Sequence, residues 1–325
     1  MLAQPLFRRL GQRHAELQLD VLAPSWTLPL LRRMPEVSHA LPSPFGHGEM
    51  RLRERLRLAR ELSVRGYDQA VVLPNSFKSA LVPWFARIPI RTGYVGEMRQ
   101  LLLNDARRLD GRALPLMAER YAALADPPGV GLSRPLPELK LAVSDATRAA
   151  LLQQLGLALD QPVAALCPGA EYGPAKRWPP AYFAELARRL ASSGFQVWVI
   201  GSAKDHDIGQ QIAQASGDVA LNLCGRTSLD QAVDLLSWTQ IVVSNDSGLM
   251  HVAAGVAVPL VALYGSSSPA FTPPMSRSAR VLKLDLPCSP CYKRQCPLGH
   301  FNCMLQLTPE QVYAAAREAA GMARS

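Results

Sequence analysis

At 325 residues and 48% hydrophobic content, the chain is long enough for two ordinary cores rather than one. A net charge of +9, carried more by arginine than by lysine, points to an anionic partner. Six cysteines in a chain this long, four of them bunched, speak against a secreted disulfide scaffold.

The longest apolar run, 256–264, is too short for a membrane span and contains Pro259. The start carries Arg8, Arg9 and Arg13 without the apolar region of a secretory signal, so the chain is expected in the cytosol. It opens on an amphipathic helix, with Ala3, Leu6, Phe7 and Leu10 on one face and Arg8, Arg9 and Gln12 on the other. Strands are expected at 17–23 and 37–41, flanking a helix over 27–34 that stops before Pro35. From 50 to 65, leucines interleave with Arg51, Arg53, Arg55, Arg57 and Arg60, which predicts a helix with a strongly basic polar face. A solvated surface accounts for that face, and contact with anionic lipid is the sharper reading. A strand at 69–73 turns through Pro74, Asn75 and Ser76 into a helix over 77–85. Lys78 sits in its first turn, where a cation opposes the helix dipole. A strand edge at 91–94, a loop at 97–99 and a helix over 114–125 follow. Residues 126–138, rich in proline and glycine, form the clearest linker.

Beyond the linker, strands at 140–143, 163–167, 196–200, 219–223, 241–244 and 259–264 alternate with helices. The helices fall at 144–155, 180–191, 205–215 and 229–236, the last opened by Ser228 and Gln231 as a capping box. Thr308, Pro309 and Gln311 open a final helix from 309 to about 322. Strands alternating with helices at this spacing mean βαβ units and a parallel sheet. The expected fold is α/β, two doubly wound Rossmann-like domains facing a cleft. The domains are expected over 1–130 and 131–308, with a terminal helix over 309–325 packing back on the first.

The stretch from Ser244 to His251, Ser-Asn-Asp-Ser-Gly-Leu-Met-His, follows a buried strand and runs into a helix start. Unpaired N–H groups and the helix dipole there favour an anion, although a plain capped turn has the same composition. A Ser-His-Asp triad does not fit, because Asp246, Ser247 and His251 are too close in sequence to converge. Ligands of open parallel sheets bind beyond the carboxyl ends of the strands. Those ends carry polar turns at 169–172 with Lys176, then at 201–205, 225–228, 245–251 and 265–268. Together they suit a diphosphate, with Lys176 neutralising leaving-group charge and Asp205 accepting from ribose hydroxyls, hence a nucleotide or nucleotide sugar. Asp205, His206 and Asp207 resemble a metal-binding carboxylate pair, but their place at a helix start fits capping better, and no catalytic metal is expected. Cys288, Cys291, Cys296 and Cys303, with His300 between, have spacing compatible with structural zinc or with reduced thiols packing a loop. Cys167 and Cys224 at strand ends read as core.

Three stretches carry a family resemblance: Ser244 to His251, Cys167 to Glu171 with Lys176 to Pro179, and Leu73 to Ala80. They are similar to the bacterial ADP-heptose–lipopolysaccharide heptosyltransferases of glycosyltransferase family 9. Arg91 to Gly93, Gly96 to Arg99 and the cysteine cluster resemble the type II rather than the type I enzymes. The resemblance implies a GT-B glycosyltransferase moving L-glycero-D-manno-heptose from ADP-heptose onto the first heptose of the inner core. That reaction is inverting and requires no metal cofactor. It places Lys176 at the donor phosphate and heptose, and Asp246, Ser247 and Gly248 at the diphosphate-heptose. Leu249 and His251 lie beside them, Gly169 and Glu171 line the same donor site, Asp205 is at the ribose and Thr227 against the adenine. The first domain, with Lys78, Arg91 and Arg99, is expected to receive heptosyl-Kdo2-lipid A at the cytoplasmic face of the inner membrane, with no role for nucleic acid. The family opens on a strand and a Gly-Asp turn whose aspartate is thought to be the general base, and Met1 to Gln4 align just after it. The expectation is therefore that the true start lies upstream and that the base is not among these residues, Glu97 and Asp105 being the nearest carboxylates in the matching domain. The competing readings are another GT-B enzyme such as a nucleotide-sugar epimerase, and a module that binds ADP-sugar without turnover.

Overall fold

The computed structural model describes residues 1–46 and 48–321. The chain divides into two compact units. The N-terminal unit comprises Leu2–Arg32 and Glu36–Pro137. The C-terminal unit comprises Glu138–Ser325 together with Met1 and Arg33–Pro35.

In the N-terminal unit, helix α1 (Gln4–Arg13) precedes strand β1 (Asp20–Pro24), helix α2 (Leu28–Leu31) and strand β2 (His39–Ser43). Helix α3 (Leu52–Ser63), strand β3 (Gln69–Val72), helix α4 (Phe77–Phe85), strands β4 (Ile90–Tyr94) and β5 (Asp105–Arg107), and helix α5 (Met117–Ala122) follow. The five strands do not form one continuous sheet. β1 pairs in parallel with β2, and β3, β4 and β5 form a separate parallel sheet. α3 and α4 pack through Ala59, Leu62, Val82 and Ile88, while Val72, Ala80 and Leu103 form a second small core. The helix expected over 114–125 is shorter: α5 is two turns long and continues as a single 3₁₀ turn, Ala123–Ala125. β5 is a strand the sequence pattern did not reveal, because Asp-Ala-Arg has neither alternation nor an apolar run.

The C-terminal unit is the doubly wound arrangement that the alternation predicts. It contains α6 (Asp145–Leu155), β6 (Val163–Cys167), α7 (Pro180–Ser192), β7 (Gln196–Val199), α8 (His206–Ala215), β8 (Ala220–Asn222) and α9 (Leu229–Leu236). β9 (Thr239–Asn245), α10 (Gly248–Gly255), β10 (Leu260–Tyr264), β11 (Ala279–Lys283), α11 (Asn302–Leu305) and α12 (Pro309–Ala319) complete it. All six strands are parallel, in the order β11-β10-β9-β6-β7-β8. β6 and β10 are buried at every residue, which is why they read as unbroken apolar runs. The chain leaves β6 in one direction through β7 and β8, then returns to build β9, β10 and β11 on the other side. The ends of β6 and β9 are thus adjacent at the point where the strand order reverses.

Two expectations for this unit are corrected. Residues 140–143 are not a strand: Leu141 N–H donates to Gly255 O and Ala142 N–H to Arg33 O, partners outside any ladder. β10 does not complete the sheet, because β11 pairs beyond it. Val312 and Ala316 of α12 are buried in the core of the C-terminal unit with Leu186, Val243 and Leu263. Of the span expected for that helix, residues 322–325 lie outside the described residues.

Trp178, 1% exposed, anchors this core, with its ring edge-on to Phe183 at 4.8 Å and its Nε1–H donating to Leu307 O at 2.7 Å. Asp234, at 2% side-chain exposure, is held by Arg33 Nη2 at 2.6 Å. Removing the guanidinium strands a buried carboxylate, whereas replacing both groups by apolar ones does not. Arg33→Met is expected to destabilise the chain by about 3–5 kcal/mol, and Arg33→Met with Asp234→Leu to recover most of that, both read in urea melts.

Candidate active site

The site is built where β6 and β9 end side by side. β9 finishes in Ser244 and Asn245, both fully buried, and the chain turns through Asp246 into α10, whose N-cap is Ser247. Asn245 ties the turn to its neighbour: its Nδ2 donates to Pro168 O at 2.7 Å and its Oδ1 accepts from Trp178 N–H at 3.1 Å. The loop after β6 is thereby fixed at both ends, and Lys176 lies inside it, on the 3₁₀ turn Pro174–Lys176.

Asp246, 5% exposed, receives two donors on one oxygen: Lys176 Nζ at 2.5 Å and Ser267 Oγ at 2.6 Å. The Lys176 ammonium also stands 5.2 Å from the centroid of the Tyr172 ring. His251 projects from the first turns of α10, buried, with no hydrogen-bond partner on Nδ1. Burial pushes its imidazole down from 6.5 to about 4, against the pull of Asp246, so it is neutral at physiological pH. Gly248 is exposed at the first position of α10, leaving the helix's first N–H groups accessible.

The remaining donor-site candidates surround this cluster with different degrees of freedom. Asp205 is 9% exposed, and its Oδ2 accepts from Ser202 N–H at 2.9 Å and Ser202 Oγ at 2.7 Å in a capping box. The capping role foreseen for the Asp205-His206-Asp207 triplet is therefore in place. A Cβ at Gly169 would lie 2.7 Å from that same Asp205 Oδ2, so only glycine fits there without displacing the carboxylate. Glu171 is exposed and pairs with Lys204 at 2.7 Å, bridging the turns after β6 and β7. Thr227, in the turn before α9, and Leu249, the second residue of α10, are half-buried. Ser267 was hidden in sequence as one serine of three; only its bond to Asp246 distinguishes it.

In the N-terminal unit the acceptor candidates divide. Lys78 is half-buried in the first turn of α4, whose leading amide, Phe77 N–H, is capped by Glu97 Oε2 at 2.9 Å. Arg99 is fully buried, its guanidinium bonded to Tyr94 O, Pro74 O and Asn75 Oδ1. Arg91 donates to Leu102 O and Ile88 O. Both arginines tie loops together rather than presenting free charge. Asp105 is held by Arg107 at 2.7 Å and Thr92 at 2.8 Å, and the Arg107 hydrogen bond holds its carboxyl below the usual range.

Cys167 and Cys224 are buried strand-end thiols, as foreseen. Burial pushes both up, Cys224 to about 12, which makes them inert. Cys288, Cys291, Cys296 and Cys303 are free and half-buried in the segment between β11 and α12. Among the described residues no group of three or more His, Cys, Asp or Glu side chains is already gathered as a metal site.

The neutral buried His251 has a stability consequence. The unfolded chain takes up a proton near 6.5 and the folded chain only near 4, so stability contributed by this residue is complete above about 6.5 and is lost as pH falls toward 4. His251→Gln is expected to flatten the pH dependence of unfolding over that window by up to about 3 kcal/mol, read from urea melts at pH 7 and pH 4.5.

Comparison with known proteins identifies the family. Residues 55–302 match the family model of glycosyltransferase family 9 (heptosyltransferase). Lipopolysaccharide heptosyltransferase 2 of Salmonella typhimurium is 49% identical over 321 residues, spanning 96% of this chain and 92% of that protein. The solved structure of Escherichia coli ADP-heptose lps heptosyltransferase II is similar with a TM-score of 0.88 at 46% identity, covering 98% of this chain and 94% of that one. The E. coli heptosyltransferase WaaC solved with ADP is similar in fold, with a TM-score of 0.71 at 19% identity, over 98% of this chain and 95% of that one. The fold is accordingly GT-B. The chain belongs to glycosyltransferase family 9, the heptosyltransferases, and its activity is that of heptosyltransferase II, heptose transfer in biosynthesis of the lipopolysaccharide inner core.

Proposed function

We propose that the C-terminal unit binds ADP-heptose at the Lys176–Asp246–His251 cluster and that heptose passes to the first heptose of heptosyl-Kdo2-lipid A with inversion. The observation that carries the assignment is the buried ion pair of Lys176 and Asp246 at the strand-order reversal, beside an open helix N-terminus. In the reaction the bond from the anomeric carbon to the ADP oxygen breaks, and a bond to the acceptor hydroxyl oxygen forms. The acceptor hydroxyl loses its proton to a base, and ADP leaves with both electrons of the broken bond.

Negative charge grows on the diphosphate as the bond breaks. Lys176 and the first N–H groups of α10 are the groups placed to stabilise it, a role that needs no metal ion. Asp246 holds Lys176 in a dry site and, with Ser247 and Gly248, meets the heptose and diphosphate. Neutral His251 adds a polar contact without adding charge. Glu171, Gly169, Asp205 and Thr227 complete the donor site toward the nucleoside. Glu97 caps α4 and Asp105 is held by Arg107 and Thr92, so neither is assigned as the base that takes the acceptor proton.

The acceptor is a phosphorylated lipid, and the basic face of α3 suits it. Arg53, Arg57 and Arg60 are exposed on that helix. Arg55, expected among them, instead turns inward: it is 4% exposed, donates to Met50 O and Lys78 O, and lies 4.0 Å over the Phe45 ring. Among the described residues no helix is long and apolar enough to cross a membrane, so the reading is peripheral attachment to the cytoplasmic face through these arginines.

Heptosyl transfer from ADP-heptose to a mono-heptosylated acceptor, with ADP binding followed in parallel, tests the assignment. Lys176→Ala is expected to lower kcat/KM by about 100-fold or more; transfer at the parent rate would overturn the role. Arg53→Gln with Arg57→Gln and Arg60→Gln is expected to weaken binding to vesicles containing anionic lipid while leaving ADP affinity unchanged, measured by co-sedimentation and calorimetry.

A further inference from the structure

The motif that donor binding does not absorb is the cysteine segment between β11 and α12. It has no helix or strand before α11, yet it holds its course beside the donor site. All four thiols, His300 and the Ser266 hydroxyl line one small pocket of about 20 Å³, the room of a single water-sized or ion-sized occupant. Cys303 lies within electrostatic reach of Cys288, Cys291 and Cys296. The turn after Cys296 is closed by Gly299 N–H donating to Cys296 O at 3.2 Å, which keeps Cys296 and His300 on the same side of the pocket. Ser266 Oγ, 1% exposed, lines the same pocket with no partner.

Four thiols and an imidazole on the wall of one ion-sized pocket are the donor set of a thiolate metal site. We propose that Cys288, Cys291, Cys296 and Cys303 bind one thiophilic metal ion, and that the ion fastens the loop that sets Lys176. Zinc(II) fits best, since it takes four thiolates tetrahedrally and has no redox demand. The side chains are not gathered at metal-binding separations as they stand, so the ion draws the segment tighter, and the thiol protons pass to solvent on binding.

The route to Lys176 is short. Arg294 O accepts from Ala175 N–H at 3.0 Å, one residue before Lys176. Tyr292 O accepts from the Tyr172 hydroxyl at 2.7 Å, and the Arg294 guanidinium lies 5.5 Å from the Tyr172 ring centroid. Gly173 runs so close that a Cβ would stand 2.5 Å from Arg294 O, at a φ of +154°. On the other side, Tyr292 N–H donates to Ser266 O at 2.7 Å and Ser289 Oγ to Gly265 O at 2.7 Å, next to the Ser267 that bonds Asp246. The segment therefore touches both loops that supply donors to Asp246. This second half of the inference rests on the donor-site reading above; the metal site itself does not.

The test uses the full chain, purified without chelator, with metal content measured by elemental analysis and Co²⁺ titrated into the stripped protein. One zinc per chain and a thiolate-to-cobalt charge-transfer band at one equivalent are expected, both lost in Cys291→Ser with Cys303→Ser. Iron in place of zinc would uphold the site and change the ion. A folded parent chain holding less than about 0.1 equivalent of any transition metal, with no charge-transfer band, would overturn the site. Stripping the metal is expected to weaken ADP binding by about tenfold, restored by Zn²⁺. Unchanged ADP affinity in stripped, folded protein would overturn the link to Lys176, whereas metal binding in a chain that binds no ADP would count against the donor-site reading alone.

Discussion

A carboxylate with 5% of its surface exposed is costly to bury without hydrogen-bond partners, and the C-terminal unit is arranged around supplying them to Asp246. One partner, Lys176, comes from the loop after β6, and the other, Ser267, from the turn after β10. Those strands flank β9, which carries Asp246 itself, so three neighbouring strand ends meet on one oxygen atom. Asn245 makes the meeting reproducible by pinning the loop after β6 at Pro168 and Trp178. Trp178 in turn links to the start of α12 through Leu307, which is how a terminal helix comes to support a site at the sheet's upper edge. On the proposed reading, charge held in place this way meets a diphosphate without rearrangement of the backbone.

How far the sequence revealed this depends on what each residue's signal was. The strands of the C-terminal unit were legible because both of their faces are buried, which writes them as apolar runs between glycine-rich turns. Asp246, Lys176 and His251 were legible because each sits at a strand end in a polar turn. Ser267 was not, since a serine among three serines carries no pattern; what singles it out is a hydrogen bond formed only after folding. β11 escaped because Ala-Arg-Val-Leu-Lys is short and shows neither alternation nor an unbroken apolar run. The pairing of 140–143 was misread for the opposite reason: an alternating apolar pattern there answers to packing against Gly255 and Arg33, not to a ladder.

The arginines show a second limit. Composition counts charge but not where it points. Arg55, Arg91, Arg99 and Arg107 all direct their planar forks at backbone carbonyls, closing loops that have too few amide partners of their own. Guanidinium suits that work because it remains charged when buried and offers several donors in one plane. The positive surface of the N-terminal unit is consequently narrower than the net charge implies. On α3 it is carried by Arg53, Arg57 and Arg60, which remain exposed.

β11 also matters for how the folded chain behaves in a crowded solution. A six-stranded parallel sheet has two free edges, each a row of unpaired amides and carbonyls on which another chain can add. At one edge β8 is only three residues long, too short a template for a foreign strand. At the other, β11 places Arg280 and Lys283 around the exposed Val281, so that a second copy approaching edge to edge meets like charge before it meets apolar surface. Like charge therefore stands against strand addition at the one edge long enough to serve as a template.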